Sequence, residues 1–408
     1  MTSENSRDAM RSRLRGGSTA VPSTPGHCTP APVSLGSMMP RVGGRRERPE
    51  GIGVCPLPFK RVTLGLSDAG DSVVSMLPCC NQWMADKTFY LPVSSVDDVK
   101  AAWSGAYMAD LRRSVLDGDY VHCDWEACPY LSANTFEHLN DGKLSDNGSL
   151  AAGVVPTVSE LPTDIIFSAD RTCNLYCGTC RTGPTVQENT SVASTIFTGL
   201  IEGGAERLHI LGSGEVFASR ITLGFLRTVT AESAPNLRDL TLLTNGILLS
   251  PRMWGSLSPY ATSMVTTIMV SVDACTAETY SLVRRGGDFK LLSRNLEFIS
   301  GLRSQGCIRH FTLNMVVQDS NLHEVIGFCL WAAELGATSL RIDAVADWGH
   351  LGSAAYHEIA VHLEGHPRHS EFLQVMHDAA ELISGLGIQS ISNLLPHIDR
   401  NVVPEQLL

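Results

Sequence analysis

Six apolar runs of strand length, separated by segments with helical spacing, limit what the chain beyond residue 163 can fold into. Between the last two runs, apolar residues recur at positions 322, 325, 326, 329, 330 and 333, which is the stripe of one helix face. Such alternation indicates parallel βαβ units, whose strands are buried on both faces and read as near-continuous apolar runs. The sequence therefore predicts an α/β fold. The runs are TDIIFSAD, RLHILGSGE, LRDLTLLTNG, TTIMVSVDA, HFTLNMVVQD and SLRIDAVAD.

Polar residues follow most of these predicted strands. In a barrel built from βαβ units, functional side chains lie at the carboxyl ends of the strands. Turns also favour polar residues, so position alone does not separate a functional role from a structural one. We expect the candidate site among these residues. They are Asp170, residues 212–215 and 244–246, Ser271, Asp273, Asn314, Asp343 and Asp347.

Three cysteines with CxxxCxxC spacing directly follow the first predicted strand: Cys173, Cys177 and Cys180. Thiolates at this spacing on one short loop can reach three irons of a [4Fe–4S] cube. The fourth iron then stays open and can chelate another molecule. A zinc knuckle is the alternative, but zinc sites usually combine four ligands in paired CxxC units.

On this triplet the chain resembles the radical S-adenosylmethionine (SAM) superfamily. The resemblance implies a partial TIM barrel of six strand–helix units, (β/α)6, with a [4Fe–4S] cluster on Cys173, Cys177 and Cys180. It also implies that SAM binds the open iron through its amino and carboxylate groups. One position departs from the pattern: Thr179 stands where the family often has an aromatic residue that packs on the adenine. The resemblance covers roughly residues 161–386.

Further segments match the superfamily in the expected order. The sequence GSGE at 212–215 ends the second predicted strand, where the family has a Gly-Gly-Glu motif whose backbone holds the SAM amino group. Glycines there let the backbone approach a ligand closely. Arg284 is similar to an arginine that pairs with the SAM carboxylate, and Arg285 is the alternative. The resemblance thus assigns SAM contacts to Gly212, Gly214, Glu215, Asn245, Ser271, Asp273 and Arg284.

Residues 51–145 carry a different pattern. Two extended segments flank a turn at Gly70 and Asp71, which indicates a hairpin, and a helical stretch near 96–116 follows. The core predicted here is small, and thiols around a metal centre would compensate, because metal binding contributes folding free energy.

This region resembles the SPASM and twitch auxiliary-cluster domains, which in most relatives follow the barrel. The resemblance implies a second, fully ligated [4Fe–4S] cluster with an electron-transfer or structural role. A structural zinc site is the alternative. Cys79 matches the Pro-Cys step of the family better than Cys80 does. The matching segments are CPLPF at 55–59, LPCC at 77–80, DLRR at 110–113 and GDYVHC at 118–123, and the predicted ligands are Cys55, Cys79, Cys123 and Cys128.

Four cysteines remain outside both groups and the N-terminal fifty residues. Cys329 lies on the apolar helix stripe and is predicted to be a core residue, and Cys307 precedes the fifth strand, at the wrong end of the barrel. Cys275 follows Asp273 at the predicted barrel mouth and is the first candidate for a catalytic thiol that donates hydrogen to a substrate radical. Cys80, beside the auxiliary ligands, is the second.

Composition and charge limit the kinds of partner and the compartment that the sequence is compatible with. The 408 residues carry a net charge of -11, which argues against nucleic acid, and no apolar run approaches the roughly 18–20 residues of a membrane span. The first fifty residues lack the apolar segment of a secretory signal, so the 12 cysteines indicate metal or catalytic thiols in the cytoplasm. The predicted organisation is a disordered tail (1–50), an auxiliary cluster domain (51–145), a linker (146–162), the radical SAM barrel (163–395) and a C-terminal tail (396–408).

The predicted activity is formation of a 5′-deoxyadenosyl radical that abstracts hydrogen from an unactivated C–H bond. The chain loosely resembles radical SAM sugar epimerases of avilamycin-type oligosaccharide biosynthesis, which implies epimerisation of a sugar unit in a small-molecule or oligosaccharide substrate. A flavodoxin or ferredoxin would supply the electron. The alternatives are a peptide-modifying maturase, an alcohol-oxidising dehydrogenase and, outside the enzymes, a redox-sensing or structural iron–sulfur protein.

Overall fold

The computed structural model describes residues 54–67, 73–125, 127–132, 158–347 and 351–391. The two predicted tails, residues 146–157 of the predicted linker and the turn at Gly70 and Asp71 lie outside these residues. In the described part of the chain, no helix has the length and apolar character needed to cross a membrane.

Ten strands form one mixed sheet. They are β1 Arg61–Leu66, β2 Val74–Leu77, β3 Leu91–Pro92, β4 Asp164–Phe167, β5 Arg207–Ile210, β6 Asp239–Thr244, β7 Val265–Ser271, β8 His310–Val317, β9 Ser339–Ala344 and β10 Gln389–Ile391. Their order in the sheet is β10-β9-β8-β7-β6-β5-β4-β1-β2-β3. The strands from β4 to β10 are parallel and follow one another in chain order, as successive βαβ units require.

The connections are helical. The helices are α1 Val96–Ser104, α2 Ala106–Asp117, α3 Pro129–Ser132, α4 Ser191–Glu202, α5 Arg220–Thr228, α6 Pro251–Trp254, α7 Pro259–Met264, α8 Ala277–Val283, α9 Phe289–Ser304, α10 Val325–Glu334, α11 Ser353–Ile359 and α12 His369–Leu386. Single 3₁₀ turns lie at Leu57–Phe59, Asn81–Trp83 and Leu322–Glu324.

The predicted α/β fold with a parallel sheet is confirmed. All six apolar runs form strands, β4 to β9, and the predicted hairpin is the antiparallel pair of β1 and β2. The helical stretch predicted over 96–116 is two helices, α1 and α2, because the chain is extended at Gly105 (ψ 168°). The predicted stripe beginning at Leu322 starts with a 3₁₀ turn before α10. The short strand β10 was not predicted.

The N-terminal hairpin belongs to the same sheet as the βαβ units. β1 pairs in parallel with β4, so that Arg61 lies opposite Asp164. The buried side chains of both parts form one continuous core, in which Leu64 and Phe167 take part. The indole N–H of Trp103 in α1 also donates to the carbonyl of Ser159. The described residues of the N-terminal hairpin are therefore packed against the parallel sheet as well as hydrogen-bonded to it.

A buried ionic network joins the neighbouring strands β1, β4 and β5. Arg61 Nη2 lies 2.8 Å from Asp164 Oδ2, and His209 Nε2 lies 3.1 Å from the other carboxylate oxygen. Burial raises the pKa of Asp164, but Arg61 and His209 hold it well below its usual range. Breaking such a buried pair leaves an uncompensated charge, so the network stabilises the pairing of β1, β4 and β5.

Candidate active site

The cysteine triplet lies in the loop that leaves the carboxyl end of β4. The Cys173 N–H donates to the Thr185 carbonyl (2.9 Å), and the Cys180 N–H donates to the Cys177 carbonyl (3.0 Å), so the loop folds back on itself. Cys177 is buried, Cys173 is half-buried and Cys180 is exposed. The three thiols therefore occupy the strand end where the sequence places them.

Each of the three sulfurs has a side-chain N–H donor beside it, and each donor comes from a different part of the chain. Hydrogen bonds to the ligand sulfurs are a regular part of iron–sulfur cluster sites, where they orient the ligands and tune the metal. The donor set and its surroundings therefore fit a three-cysteine cluster site. The pairs are Asn245 Nδ2 with Cys173 Sγ (3.8 Å), Arg284 Nη1 with Cys177 Sγ (3.6 Å) and Arg181 Nη2 with Cys180 Sγ (3.3 Å).

The glycines of the GSGE segment lie directly against the start of the cysteine loop. Gly212 has φ +100°, and a Cβ there would lie 2.5 Å from Ser168 Oγ. A Cβ on Gly214 would lie 2.4 Å from the Asp170 carbonyl oxygen and 2.6 Å from that of Thr172. Backbone atoms cannot move aside as a flexible side chain can, so only glycine permits this approach of the two loops.

We expect Gly214→Ala to destabilise the protein by about 1–3 kcal/mol, the usual cost of overpacking, and to weaken SAM binding by displacing the glycine loop. Gly224→Ala is the matched control, because Gly224 lies exposed in α5 with open space around it, and alanine there should stabilise by about 0.5–1 kcal/mol. Thermal unfolding and equilibrium dialysis with SAM measure both effects. Unchanged stability and SAM binding in Gly214→Ala would contradict the close approach.

Glu215 faces inward and braces the end of β6. Its Oε1 accepts a hydrogen bond from the Thr244 hydroxyl (2.7 Å), and its Oε2 accepts one from the Asn245 N–H (2.7 Å). Burial raises the pKa of this carboxyl group. Both oxygens are engaged within the protein, so Glu215 positions Asn245, which in turn donates to Cys173. A SAM contact of Glu215 itself stays a prediction.

Asp273 holds Arg284 beside the cysteine loop. Asp273 has φ +62°, which is unusual for a residue other than glycine, and its Oδ1 accepts from the Val316 N–H (2.8 Å). Its Oδ2 lies 2.8 Å from Arg284 Nε, an ion pair in which the Nε–H is not aligned for a hydrogen bond. Burial lowers the pKa of Arg284, but Asp273 and Cys177 raise it above its usual value. The guanidinium is thus a fixed positive charge at the triplet.

Arg285, the alternative to Arg284, makes a different set of contacts. Its Nε donates to the Tyr176 carbonyl (3.1 Å), and its Nη2 donates to the Arg181 carbonyl (3.4 Å). It supports the backbone of the cysteine loop. Of the two arginines, Arg284 is the one beside a cysteine sulfur.

A polar row crosses the sheet face that carries Arg61 and Asp164. Register places Ser271 opposite Asn314 and Asn314 opposite Arg341, whose Nε lies 2.6 Å from Asp343 Oδ2. Asn314 is only 9% exposed, and its Oδ1 has no hydrogen-bond partner among the described residues. Buried amides usually find partners. The four residues, which we call the polar row, are therefore suited to receive a polar ligand.

The four predicted auxiliary ligands, Cys55, Cys79, Cys123 and Cys128, line one small cavity. Cys80 is not part of its lining. All four are free thiols, and burial raises the pKa of each, to about 12 for Cys55. Clustered buried thiols without disulfides fit ligation by a metal centre, which favours their thiolates. No group of three or more His, Cys, Asp or Glu side chains in the described ranges converges on the geometry of a single metal ion.

The two cysteine groups lie at opposite ends of the paired strands β1 and β4. Leu77 at the end of β2 lies opposite Thr63, so Cys79 leaves the sheet level with the start of β1. The triplet follows the other end of the parallel strands, beyond Phe167. The register therefore places the auxiliary cysteines level with the amino ends of β1 and β4, at the end opposite to the triplet.

The two candidate donor thiols are in different surroundings. Burial raises the pKa of Cys80, and the backbone N–H of Gln82 and then the positive charge of Arg341, a member of the polar row, oppose the rise. Cys275 lies on the helix side: a Cβ on Gly327 of α10 would be 3.0 Å from its Sγ, and burial with the Glu324 carboxylate raises its pKa to about 12. Cys329 is fully buried, which confirms the core prediction.

We expect Cys128→Ala to lose the auxiliary metal and to destabilise the N-terminal hairpin more than the parallel strands, because metal binding contributes folding free energy there. Limited proteolysis should then cut first between residues 51 and 150. Cys307→Ala, which removes an exposed thiol outside both groups, is the control. Unchanged protease resistance with the auxiliary iron gone would contradict the dependence on metal.

Arg181 is absent from the site residues predicted from sequence. Its one sequence signal is its position directly after Cys180, which does not reveal where a long side chain will reach.

No protein-family model and no curated protein matches the chain. Among solved structures, SuiB of Streptococcus suis bound to S-adenosylmethionine aligns at a TM-score of 0.39 and 10% identity, over 85% of this chain and 73% of SuiB. Native anSMEcpe with bound AdoMet aligns at 0.39 and 16%, over 55% of this chain and 63% of that one. TYW1 with a lysine-pyruvate adduct bound aligns at 0.33 and 12%, over 52% and 70%. Likeness at this level does not establish a common fold.

Proposed function

We propose that the protein is a radical SAM enzyme. One observation carries the proposal: three thiols on one loop beyond β4, each beside an N–H donor, lie next to a glycine loop that admits no side chain. Three thiolates leave one iron of a [4Fe–4S] cube open for SAM. When bound and reduced, the cluster would supply the electron that cleaves SAM to methionine and a 5′-deoxyadenosyl radical, which abstracts hydrogen from the substrate.

The chain's own residues would bind and orient SAM. Arg284, anchored by Asp273, offers a fixed guanidinium to the SAM carboxylate. The backbone of Gly212 and Gly214 is bare of side chains and can approach the SAM amino group. Asn245, positioned by Glu215, lies between the glycine loop and Cys173.

We propose that the parallel sheet curves into a partial barrel. In the sheet order β2 and β9 are seven strands apart, which is about 34 Å in a flat sheet. Yet Arg341 of β9 lowers the pKa of Cys80, which follows β2, and Cys80 and Tyr130 in turn raise the pKa of Arg341. Coulomb interactions weaken with distance, so this mutual influence indicates a separation much shorter than that of a flat sheet. Curvature that brings the two sides of the sheet together accounts for this proximity, and the polar row then faces the enclosed space.

The substrate proposed for this space is a neutral, polyhydroxylated molecule, such as a sugar unit of an oligosaccharide. Arg341 and Asp343 present a donor and an acceptor side by side, which matches neighbouring hydroxyl groups, whereas an anionic group would be repelled by Asp343. Asn314 adds a buried carbonyl oxygen with no protein partner in the described ranges. The row extends from the neighbourhood of Cys80 to Ser271 at the end of β7.

The specific reaction proposed is epimerisation. After hydrogen abstraction, a thiol on the opposite face of the carbon radical would return a hydrogen atom and invert the centre. The resulting thiyl radical would take one electron from a flavodoxin or ferredoxin and one proton from solvent to regenerate the thiol. Cys80 is the donor that its position supports, because it is the non-ligand thiol near the polar row. A second candidate reaction is alcohol oxidation. The cavity lined by Cys55, Cys79, Cys123 and Cys128 favours it, because an auxiliary cluster bound there could accept the second electron of the oxidation.

The test is anaerobic incubation of the reconstituted protein with SAM, a reductant and a panel of neutral oligosaccharides in deuterated water. Epimerisation through a thiol predicts inverted product that carries solvent deuterium at the inverted carbon. Alcohol oxidation predicts a carbonyl product without that deuterium. Failure to form any 5′-deoxyadenosine, with the clusters intact, would overturn the radical SAM proposal.

A further inference from the structure

Arg181 makes four contacts that join three segments of the site. Its Nη1 donates to the Arg171 carbonyl (2.6 Å), and its Nη2 donates to the Ser213 carbonyl of the glycine loop (2.6 Å). Its Nε and Nη2 also lie 3.4 and 3.3 Å from Cys180 Sγ. A single guanidinium thus links the last cysteine of the triplet to the loop that would hold SAM.

The Arg181 contact brings a fixed positive charge to a cysteine that is otherwise exposed. Cys180 is the exposed member of the triplet, and exposed thiolates are hydrated rather than held by protein donors. Two carbonyl oxygens fix the position of the guanidinium, so its charge stays at the sulfur instead of moving into solvent. A hydrogen bond or positive charge at a ligand sulfur favours the more negative, reduced state of an iron–sulfur cluster.

We propose that Arg181 is a positioning residue that raises the reduction potential of the cluster on Cys173, Cys177 and Cys180, and so sets how readily SAM is cleaved. This inference rests on the radical SAM function proposed above. It assigns the effect to contact with the sulfur and not to the general positive charge of the loop.

Comparison with Arg285 distinguishes an effect of contact with the sulfur from an effect of general positive charge. Arg285 follows α8 and contacts the cysteine loop from outside. Like Arg181, it donates to backbone carbonyls, in this case those of Tyr176 and Arg181. No contact of Arg285 with a cysteine sulfur is found among the described residues. Removal of either charge changes the loop's charge equally, but only removal of Arg181 changes the hydrogen bonding of Cys180.

The experiment is a redox titration of the full-length reconstituted protein, followed by the electron paramagnetic resonance signal that responds to SAM. In Arg181→Gln, the ratio of reduced to oxidised cluster at a fixed potential should fall about tenfold, which for one electron is a midpoint potential lower by 59 mV. Arg181→Lys keeps the charge and should stay closer to the parent than Arg181→Gln. Arg285→Gln removes the same charge without touching a sulfur, so it should shift the midpoint potential clearly less than Arg181→Gln does.

Two results would overturn the inference. One is a parent-like potential in Arg181→Gln, with any loss confined to iron content, which would make the residue merely structural. The other is an equal shift in Arg181→Gln and Arg285→Gln, which would make the effect one of general charge. Absence of any SAM-responsive signal in the parent would instead refute the radical SAM function itself. Circular dichroism and the auxiliary iron check folding, and if the glutamine variant is unstable, Arg181→Met takes its place with the same expected fall and the same overturning results.

Discussion

Replacing Cys173, Cys177 and Cys180 together by alanine will lower the iron content of the anaerobically purified protein from about eight to about four per chain and abolish SAM cleavage. The reason is the separation of the two cysteine groups: the triplet follows β4, whereas the other group lies level with the start of β1. Loss of one group should leave the other able to bind its metal. Iron analysis and chromatographic detection of 5′-deoxyadenosine measure the two effects.

Cys307→Ala is the control for this triple variant, because it removes an exposed thiol that belongs to neither group. It should keep both the iron and the cleavage activity. The triple variant should still fold, because the cysteine loop is connected to the sheet by the backbone of β4 and by its contacts with the glycine loop, not by the cysteine side chains. A parent protein with only four irons, and zinc in the other group, would refute the two-cluster arrangement.

Most of the parallel sheet could be predicted from the sequence because its signal is local. Strands from β4 to β9 are buried on both faces, so their apolar runs stand out. The pairing of β1 with β4 could not be predicted in the same way. It depends on contacts of Arg61 with Asp164 and His209, which lie 103 and 148 positions further along the chain. Nothing near Arg61 in sequence shows that its partner is an aspartate at the start of a later strand.

The same difference between local and distant signals applies to the candidate site. The sequence predicts the triplet and the GSGE loop at strand ends, because each follows within a few residues of a strand with a clear apolar pattern. The direction of individual side chains is set by packing that spacing does not determine. Glu215 turns inward to Thr244, and Arg181 folds back over Cys180. Cys275 lies two residues beyond Asp273, where a thiol can face either the enclosed space or the helices, and it packs against α10.

The second large effect is expected for Cys80. Cys80→Ala should keep the iron of both groups and still cleave SAM, but it should form no epimer, because no thiol remains to return hydrogen to the substrate radical. Arg341 of the polar row acts on the pKa of Cys80, and Cys80 is not part of the cavity lined by the predicted auxiliary ligands. Under the proposed function, its loss would remove the hydrogen donor and leave the metal ligands in place. Product stereochemistry and 5′-deoxyadenosine, measured together, separate the two steps.

Cys275→Ala is the matched control for Cys80→Ala, since it removes the other candidate thiol. Because that thiol packs against Gly327 and its backbone N–H donates to Glu324, the variant should still form epimer. If instead Cys275→Ala abolishes the epimer and Cys80→Ala does not, the donor is the thiol at the end of β7, and α8 and α10 must shift to expose it. If both variants form normal product, neither thiol is the donor. Another group must then return the hydrogen; alcohol oxidation, which requires no donor and leaves an electron for the auxiliary group, is the better account only if the parent itself forms a carbonyl product and no epimer.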